Sequence, residues 1–322
     1  MKEYYELKGG CVAPSNQEEG KIIVYALPND SEKKELLESL QIDQHTLDSA
    51  LDPDEISRVE FLNNYLSIIW KRPNTFAFKE QLSFEVSSLG IFLNKDKVTM
   101  ILGESTIPFA SKEFNGINSL HSFVLRFLLQ TIHHFLGHLK GIRQINAELQ
   151  AKLNLSMENQ YLLQMFNLSE SLIYYLNALE ANASALTKLR GNVEKIGFSK
   201  EEQEMLDDIM IEHQQCSKQT QIYSSVLSGL MDARGNIINN NMNILLKNLT
   251  LINVVFLPLN LIAGIGGMSE YTRITEHVID WKIAYSLFLV GMIALGLLTW
   301  VLLVKQVNRQ KIIKRKNPRK VS

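Results

Sequence analysis

Residues Leu249–Met268, LTLINVVFLPLNLIAGIGGM, decide how the chain is read. The twenty residues carry no charge. As helix they are long enough to cross about 30 Å of hydrocarbon. The run is not uniformly apolar, for it holds Thr250, Asn253, Pro258 and Asn260 and ends in Ala263, Gly264, Gly266 and Gly267. In heptads with Asn243 as the first a position, the a residues are Asn243, Thr250, Leu257 and Gly264. The d residues are Leu246, Asn253, Asn260 and Gly267. Three amides and a hydroxyl thus share one stripe, while the other faces are Leu, Ile, Val and Phe. An amide facing lipid is costly unless it finds a partner or water. The stripe therefore points inward, toward a protein interface or a water-filled path.

Beyond this stretch the composition sets bounds. The 322 residues suffice for a soluble domain plus a membrane part. A net charge of −1 gives no global attraction to nucleic acid. Cys11 and Cys216 are isolated, which supports neither a disulfide framework nor a zinc finger. The N-terminus has no apolar h-region, so the expectation is that no signal peptide is present and that the first 244 residues stay in the cytoplasm.

Residues 1–20 read as loose. Lys21–Leu27 is a buried-strand candidate, and Ser31 is placed as the N-cap of a helix through Leu40. Asp43–Leu51 is a second helix. Strand-like runs follow at Arg58–Leu62, Tyr65–Arg72, Ser83–Val86, Leu89–Leu93 and Val98–Leu102, with Asn63-Asn64 and Asn94-Lys95-Asp96 as hairpin turns. This half is an α/β or α+β domain with a small, mostly antiparallel sheet and no nucleotide, hydrolase or zincin motif. From Ser119 the period becomes helical over Ser119–Asn154 and Ser156–Lys195. Gly197 breaks it, and Ser199 with Glu202 forms a capping box for a helix that meets no proline until Pro258. Continuous to Met268, that helix is about 100 Å long. Its a/d row runs on through Asn239, Asn236, Asp232, Gly229 and Ser225, so the polar face persists below the membrane.

After a short loop, Ile283–Val304 is a second uncharged run, with Trp281 and Trp300 near its ends. The tail from Lys305 holds Arg309, Lys311, Lys314, Arg315, Lys316, Arg319 and Lys320 without an acid. By the positive-inside rule this tail and the N-terminus are cytoplasmic and the loop lies outside. The domains expected are a cytoplasmic α/β domain (1–115), a long-helix stalk (116–244), transmembrane helix 1 (245–268), an external loop (269–281), transmembrane helix 2 (282–304) and a basic tail (305–322).

A packing seam explains a polar stripe when one Asn fixes register. This stripe has three amides, which favours a pore: rings of amide and hydroxyl oxygens replace the water of a hydrated cation without trapping it. One stripe cannot enclose a path, so two membrane helices per chain imply a cyclic homo-oligomer with the first helix inside.

The stretch NNNMNILLKNLTLINVVFLPLNLIAGIGGMS resembles the first membrane helix of the CorA family of divalent-cation transporters, zinc-transporting relatives included. The likeness rests on Asn243, Lys247, Leu249-Thr250, Phe256, Pro258-Leu259, Ile262-Ala263-Gly264 and Gly267-Met268. It implies a CorA-like fold of cytoplasmic α/β domain, helical stalk and two C-terminal transmembrane helices. It also implies a pentamer in the inner or plasma membrane, lipid around it, and transport without ATP hydrolysis or a resident cofactor. The divalent ion is the transported substrate. Family members carry Gly-Met-Asn at the outer end of this helix, whose Asn helps capture hydrated magnesium. Here the triplet is Gly267-Met268-Ser269. Magnesium, with cobalt or nickel, is the default expectation, and zinc is the alternative because of Ser269.

The loop acids Glu270, Glu276 and Asp280 either concentrate cations at the mouth or are ordinary loop solvation. Asp208 falls where magnesium-type members have an interfacial regulatory aspartate; otherwise Asp207-Asp208 is an acidic pair in the first turns of a helix. His133, His134 and His138 share one helix, the last two at i,i+4, and read more readily as packed or solvated than as metal ligands. The leading reading is a divalent-cation channel or transporter, and the competing one a non-conducting, membrane-anchored oligomeric scaffold with a dry amide seam. No nucleophile–base set argues for an enzyme.

Overall fold

Seven strands form one sheet in the order β2-β1-β3-β7-β6-β5-β4. They are β1 (Lys2–Lys8), β2 (Cys11–Pro14), β3 (Ile22–Ala26), β4 (Arg58–Phe61), β5 (Leu66–Pro73), β6 (Val86–Leu93) and β7 (Val98–Leu102). The computed structural model describes residues 1–16, 20–62, 65–74, 83–103, 109, 114–155, 159–275 and 279–316. Asn63-Asn64, expected as a turn, lie outside the described residues. All pairings are antiparallel except β3 with β7, which is parallel. The mostly antiparallel sheet expected from the strand-like runs is therefore present, with one crossover inside it.

Two expectations near the N-terminus fail. Residues 1–20 were expected to be loose, yet β1 and β2 make a hairpin. Gly9 and Gly10 both hold positive φ (61° and 77°), the two-residue turn that matches strand twist. Tyr5, Leu7 and Val12 turn one face to the core while Lys2, Tyr4 and Glu6 alternate with it. That period-two signal is masked by charged residues. Ser31 was expected to cap the first helix, α1 (Asp30–Leu40); the cap is Asn29 instead. Asn29 Oδ1 accepts from the Glu32 amide at 2.8 Å and the Glu32 carboxylate accepts from the Asn29 amide at 2.9 Å.

Alternation along the central strands feeds two cores. Ile68, Trp70, Leu89, Ile91 and Met100 pack on one face with Phe123, Phe127, Phe135, Leu172 and Tyr175 from α3 (Leu120–Leu155) and α4 (Asn159–Arg190). Ile69, Phe92 and Ile101 pack on the other with Leu36 and Leu40 of α1 and Leu47 and Ala50 of α2 (Gln44–Leu51). Gly90 on β6 lets α2 come close: a Cβ there would stand 2.7 Å from Ala50 Cβ. Trp70 Nε1 donates to Thr131 Oγ1 at 2.8 Å, tying the sheet to α3.

A four-residue helix, α5 (Val193–Ile196), ends at Gly197 in the left-handed region, φ 88°. The capping box expected at Ser199 and Glu202 starts α6 (Lys200–Gly266), which runs 67 residues without a break. Glu202 also accepts from the Ser119 hydroxyl, so it joins the starts of α3 and α6. Leu206, Ile209, Cys216 and Leu227 enter the same core as α3 and α4. The chain divides into two compact units, Met1–Asp232 and Ala233–Ser322. In the second, α7 (Ser269–Thr275) and α8 (Trp281–Lys316) follow α6. Two helices are apolar and long enough to cross a membrane, α6 through its uncharged end and Trp281–Val301 of α8.

Candidate functional site

In the second unit, α6 packs on α8 through one face. Val255 and Gly266 are buried, and Leu251, Leu259 and Ile262 partly so. The opposing partly buried residues of α8 are Ala284, Phe288, Met292, Gly296 and Thr299. Two glycines set the closeness. A Cβ on Gly266 would stand 2.7 Å from Phe288 Cε1, and one on Gly296 would stand 3.3 Å from Leu259 Cδ1. Small residues at such crossings let helix backbones approach.

The buried α6 residues occupy heptad positions b, c and f. At about 100° per residue these centre roughly 180° from the a/d row. The row itself, Asn243, Leu246, Thr250, Asn253, Leu257, Asn260, Gly264 and Gly267, is exposed throughout. Thr250 donates its hydroxyl proton to the Leu246 carbonyl at 2.8 Å, so its oxygen faces outward as an acceptor. The b/f pattern also holds in the first unit, where Leu206, Ile209, His213, Cys216, Thr220 and Leu227 are buried. The a/d positions Asp208, Ile211, Gln215, Lys218, Ile222, Ser225, Gly229 and Asp232 are exposed there.

At the outer end, Met268 is exposed and the Ser269 hydroxyl donates to Glu270 Oε2 at 3.2 Å. Asp280 begins α8: its carbonyl accepts from the Ile283 and Ala284 amides and its Oδ1 from the Lys282 amide at 3.3 Å. That is capping geometry, a structural use for this acid. Glu276 lies outside the described residues.

Asp208 is exposed on α6, while its neighbour Asp207 is held by Arg190 through contacts of 2.6 and 3.0 Å. The three histidines of α3 meet different partners. His133 Nε2 lies 2.6 Å from Glu212 of α6, and His138 Nδ1 is hydrogen-bonded to the Tyr175 hydroxyl of α4. The His134 and His138 rings meet edge to face at 4.4 Å. Burial, with His134 beside it, pulls the His138 pKa down to about 4, so the ring is neutral near pH 7. Burial pushes the Tyr175 phenol up. Both groups are therefore neutral near pH 7, and the hydrogen bond joins an imidazole to a phenol without a charge. Among the described residues no three His, Cys, Asp or Glu side chains stand where they could hold a metal ion. Glu212 and Tyr175 come from helices far along the chain, so no local spacing announces them.

Comparison with known proteins follows the same outline. The family described as CorA-like Mg2+ transporter protein matches residues 18–310. The cobalt/magnesium transport protein CorA of Methanocaldococcus jannaschii is 26% identical over 262 residues, 75% of this chain and 77% of that one. The complete structure of the CorA magnesium transporter from that organism superposes with a TM-score of 0.73 at 20% identity, covering 94% of this chain and 96% of the other. The full-length CmaX protein gives 0.68 at 14% identity, with coverage of 94% and 96%. The cytoplasmic domain of ZntB from Vibrio parahaemolyticus RIMD 2210633 gives 0.58 at 12% identity, covering 74% and 98%. These likenesses fix the fold: an α/β N-terminal domain, a long helix and two C-terminal apolar helices. With nearly the whole chain inside the family match, the protein belongs to the CorA family, whose members are membrane transporters of divalent cations rather than enzymes.

Proposed function

We propose that copies of this chain assemble in a ring and pass Mg2+ along the a/d row of α6, past Asn243, Thr250, Asn253, Asn260 and the glycines at the outer end. One observation carries this reading. Packing against α8 uses the opposite side of α6, leaving the amide-bearing face free for neighbouring copies and an enclosed path. Five copies, the number the family implies, repeat each amide five times around the axis. The basic tail keeps both termini on the cytoplasmic side of an inner or plasma membrane. Leu246 and Leu257 are apolar rings between the polar ones, suited to gating by dewetting.

The second reading keeps the path and changes the ion to Zn2+. It is favoured by Ser269, which offers a hydroxyl beside a carboxylate where magnesium-type members carry an amide. A borderline-soft ion that sheds water readily has less need of an outer ring of amides than Mg2+, which dehydrates reluctantly.

Reconstitution into liposomes holding a metal-sensitive dye tests both, with Mg2+ and Zn2+ in competition at two pH values. Saturable Mg2+ entry, reduced at least tenfold by Asn260→Leu, is the expected result. No divalent entry above protein-free liposomes, together with an inert Asn260→Leu, leaves the dry-seam scaffold instead. The same assay reads Asp208→Ala: a regulatory aspartate alters how flux responds to metal on the tail side, and an unchanged response makes Asp208 a helix-start acid.

A further inference from the structure

Within the first unit the a/d row of α6 changes sign twice. Asp208 and Asp232 are acids, and Lys218 stands between them, all three exposed. At about 1.5 Å per residue, Lys218 lies about 15 Å from Asp208 and about 21 Å from Asp232 along the helix. It is the sole Lys or Arg on α6 between Lys200 and Arg234. Its neighbours one turn away, Gln214, Gln215, Gln221 and Ile222, carry no charge, so no ion pair along the helix neutralises it. Among the described residues its ammonium group has no hydrogen bond, ion pair or ring contact. Lys2, Lys71 and Lys195 of the same unit are engaged, with Glu35, the Pro53 carbonyl and the Phe61 ring.

In one chain Lys218 is a solvated lysine. In a cyclic ring with the a/d row inside, it is repeated in every copy and faces its own copies across the path. The acids of the row are too far away to offset that charge, since screening at physiological salt takes over within about 8 Å. Coulomb energy scales with the charge of the passing ion, so a divalent cation meets twice the barrier that a monovalent one does. We propose that Lys218 is a brake on cation passage, a ring of ammonium groups that separates two acidic rings and sets the rate at which divalent ions move between them. This role rests on the ringed path along α6 proposed above and adds a rate-setting residue to it.

Mg2+ entry into dye-loaded liposomes, with the full chain reconstituted and Mg2+ kept sub-millimolar, tests the brake. Raising the ionic strength from about 0.01 M to about 1 M shortens the screening length from about 30 Å to about 3 Å. At the low value Lys218→Gln should speed entry at least threefold, and Lys218→Arg, which keeps the charge, should match the parent. At the high value Lys218→Gln and the parent should converge. Entry in Lys218→Gln no faster than the parent at low ionic strength overturns the brake, as does an increase that persists undiminished at the high value, because screening does not remove an effect of side-chain volume. Asn260→Leu, run alongside, separates the two levels. If it blocks entry while Lys218→Gln is inert, the path stands and the brake falls. If the parent admits no Mg2+ above protein-free liposomes, the path falls and the brake with it.

Discussion

Asn182 on α4 is wholly buried and its amide replaces a missing stretch of strand. β4 begins at Arg58, opposite Ile69, so it ends short of Lys71 on β5. The Lys71 amide donates instead to Asn182 Oδ1 at 3.0 Å, and the Lys71 carbonyl accepts from Asn182 Nδ2 at 2.8 Å. Ser57 Oγ, just before β4, donates to the same Oδ1 at 2.7 Å. Asn182→Leu keeps the volume and strands three polar groups, the buried Ser57 hydroxyl and the part-buried Lys71 amide and carbonyl. At about 1–3 kcal/mol for each group left unpaired, and with Ser57 free to turn, the two Lys71 groups make the loss at least about 2 kcal/mol. For a domain of this size that lowers the midpoint of heat unfolding by at least roughly 4–8 °C. Ser57→Ala should cost about 1 kcal/mol in the parent and almost nothing in Asn182→Leu, because its partner is already gone. Hydrogen exchange supplies a local readout, since the Lys71 amide should lose protection in Asn182→Leu. A midpoint shift under about 2 °C, or an equally protected Lys71 amide, refutes the strand-mimic account.

Acid is the next perturbation. The folded-state pKa of His138, about 4, lies below the ordinary 6.5, so its contribution is fully present above pH 6.5 and lost as pH falls toward 4. Discounted for the solvent reaching the ring, that loss is about 1–2 kcal/mol. A melting-temperature profile from pH 8 to pH 4 should fall less steeply in His138→Gln than in the parent; parallel profiles contradict the assignment. Gly266→Ala places a methyl group against the Phe288 ring and should cost about 1–3 kcal/mol of α6–α8 packing. Phe288→Leu in the same chain should restore most of it, read as heat stability in detergent, and a fully stable single variant denies the close approach.

The membrane half was legible because its signals are local. An uncharged run, three Asn at heptad spacing and a basic tail all lie within short windows, and the family resemblance rests on the same residues. The Ser199–Glu202 box and the break at Gly197 were readable for the same reason. The N-terminal hairpin escaped because Lys and Glu share its alternation with Tyr and Leu, and because two adjacent glycines read as loop. Asn29 and Ser31 both cap well, and only backbone conformation decides for Asn29. The partners of the histidines and the Asn182 clasp join residues tens to more than a hundred positions apart, such as Ser57 with Asn182. No periodicity encodes such pairs.

The choice between a wet path and a dry seam turns on what the a/d row of α6 would cost without water. Along the row stand Asp208, Lys218 and Asp232 besides the amides, and all are exposed in the single chain. Burying a charge dry costs several kcal/mol unless a paired charge and hydrogen bonds offset it. In a cyclic ring each position meets its own copies, so Asp232 would face Asp232 and Lys218 would face Lys218. Like charges brought together in a low dielectric repel, and a seam built on them opposes its own assembly. Water and mobile ions between the copies remove that penalty. The leucines also fall where a wet path needs them, as Leu246 and Leu257 interrupt the polar rings within the uncharged end of the helix. A seam selected for dryness would instead place apolar residues at most a and d positions, as coiled coils do. The b and f positions of this same helix, which bury Leu206, Ile209, Leu227 and Val255, follow that rule. One helix thus carries a buried apolar face and an exposed polar face about 180° apart, and in the proposed pore the polar face is the one that offers a cation oxygen ligands.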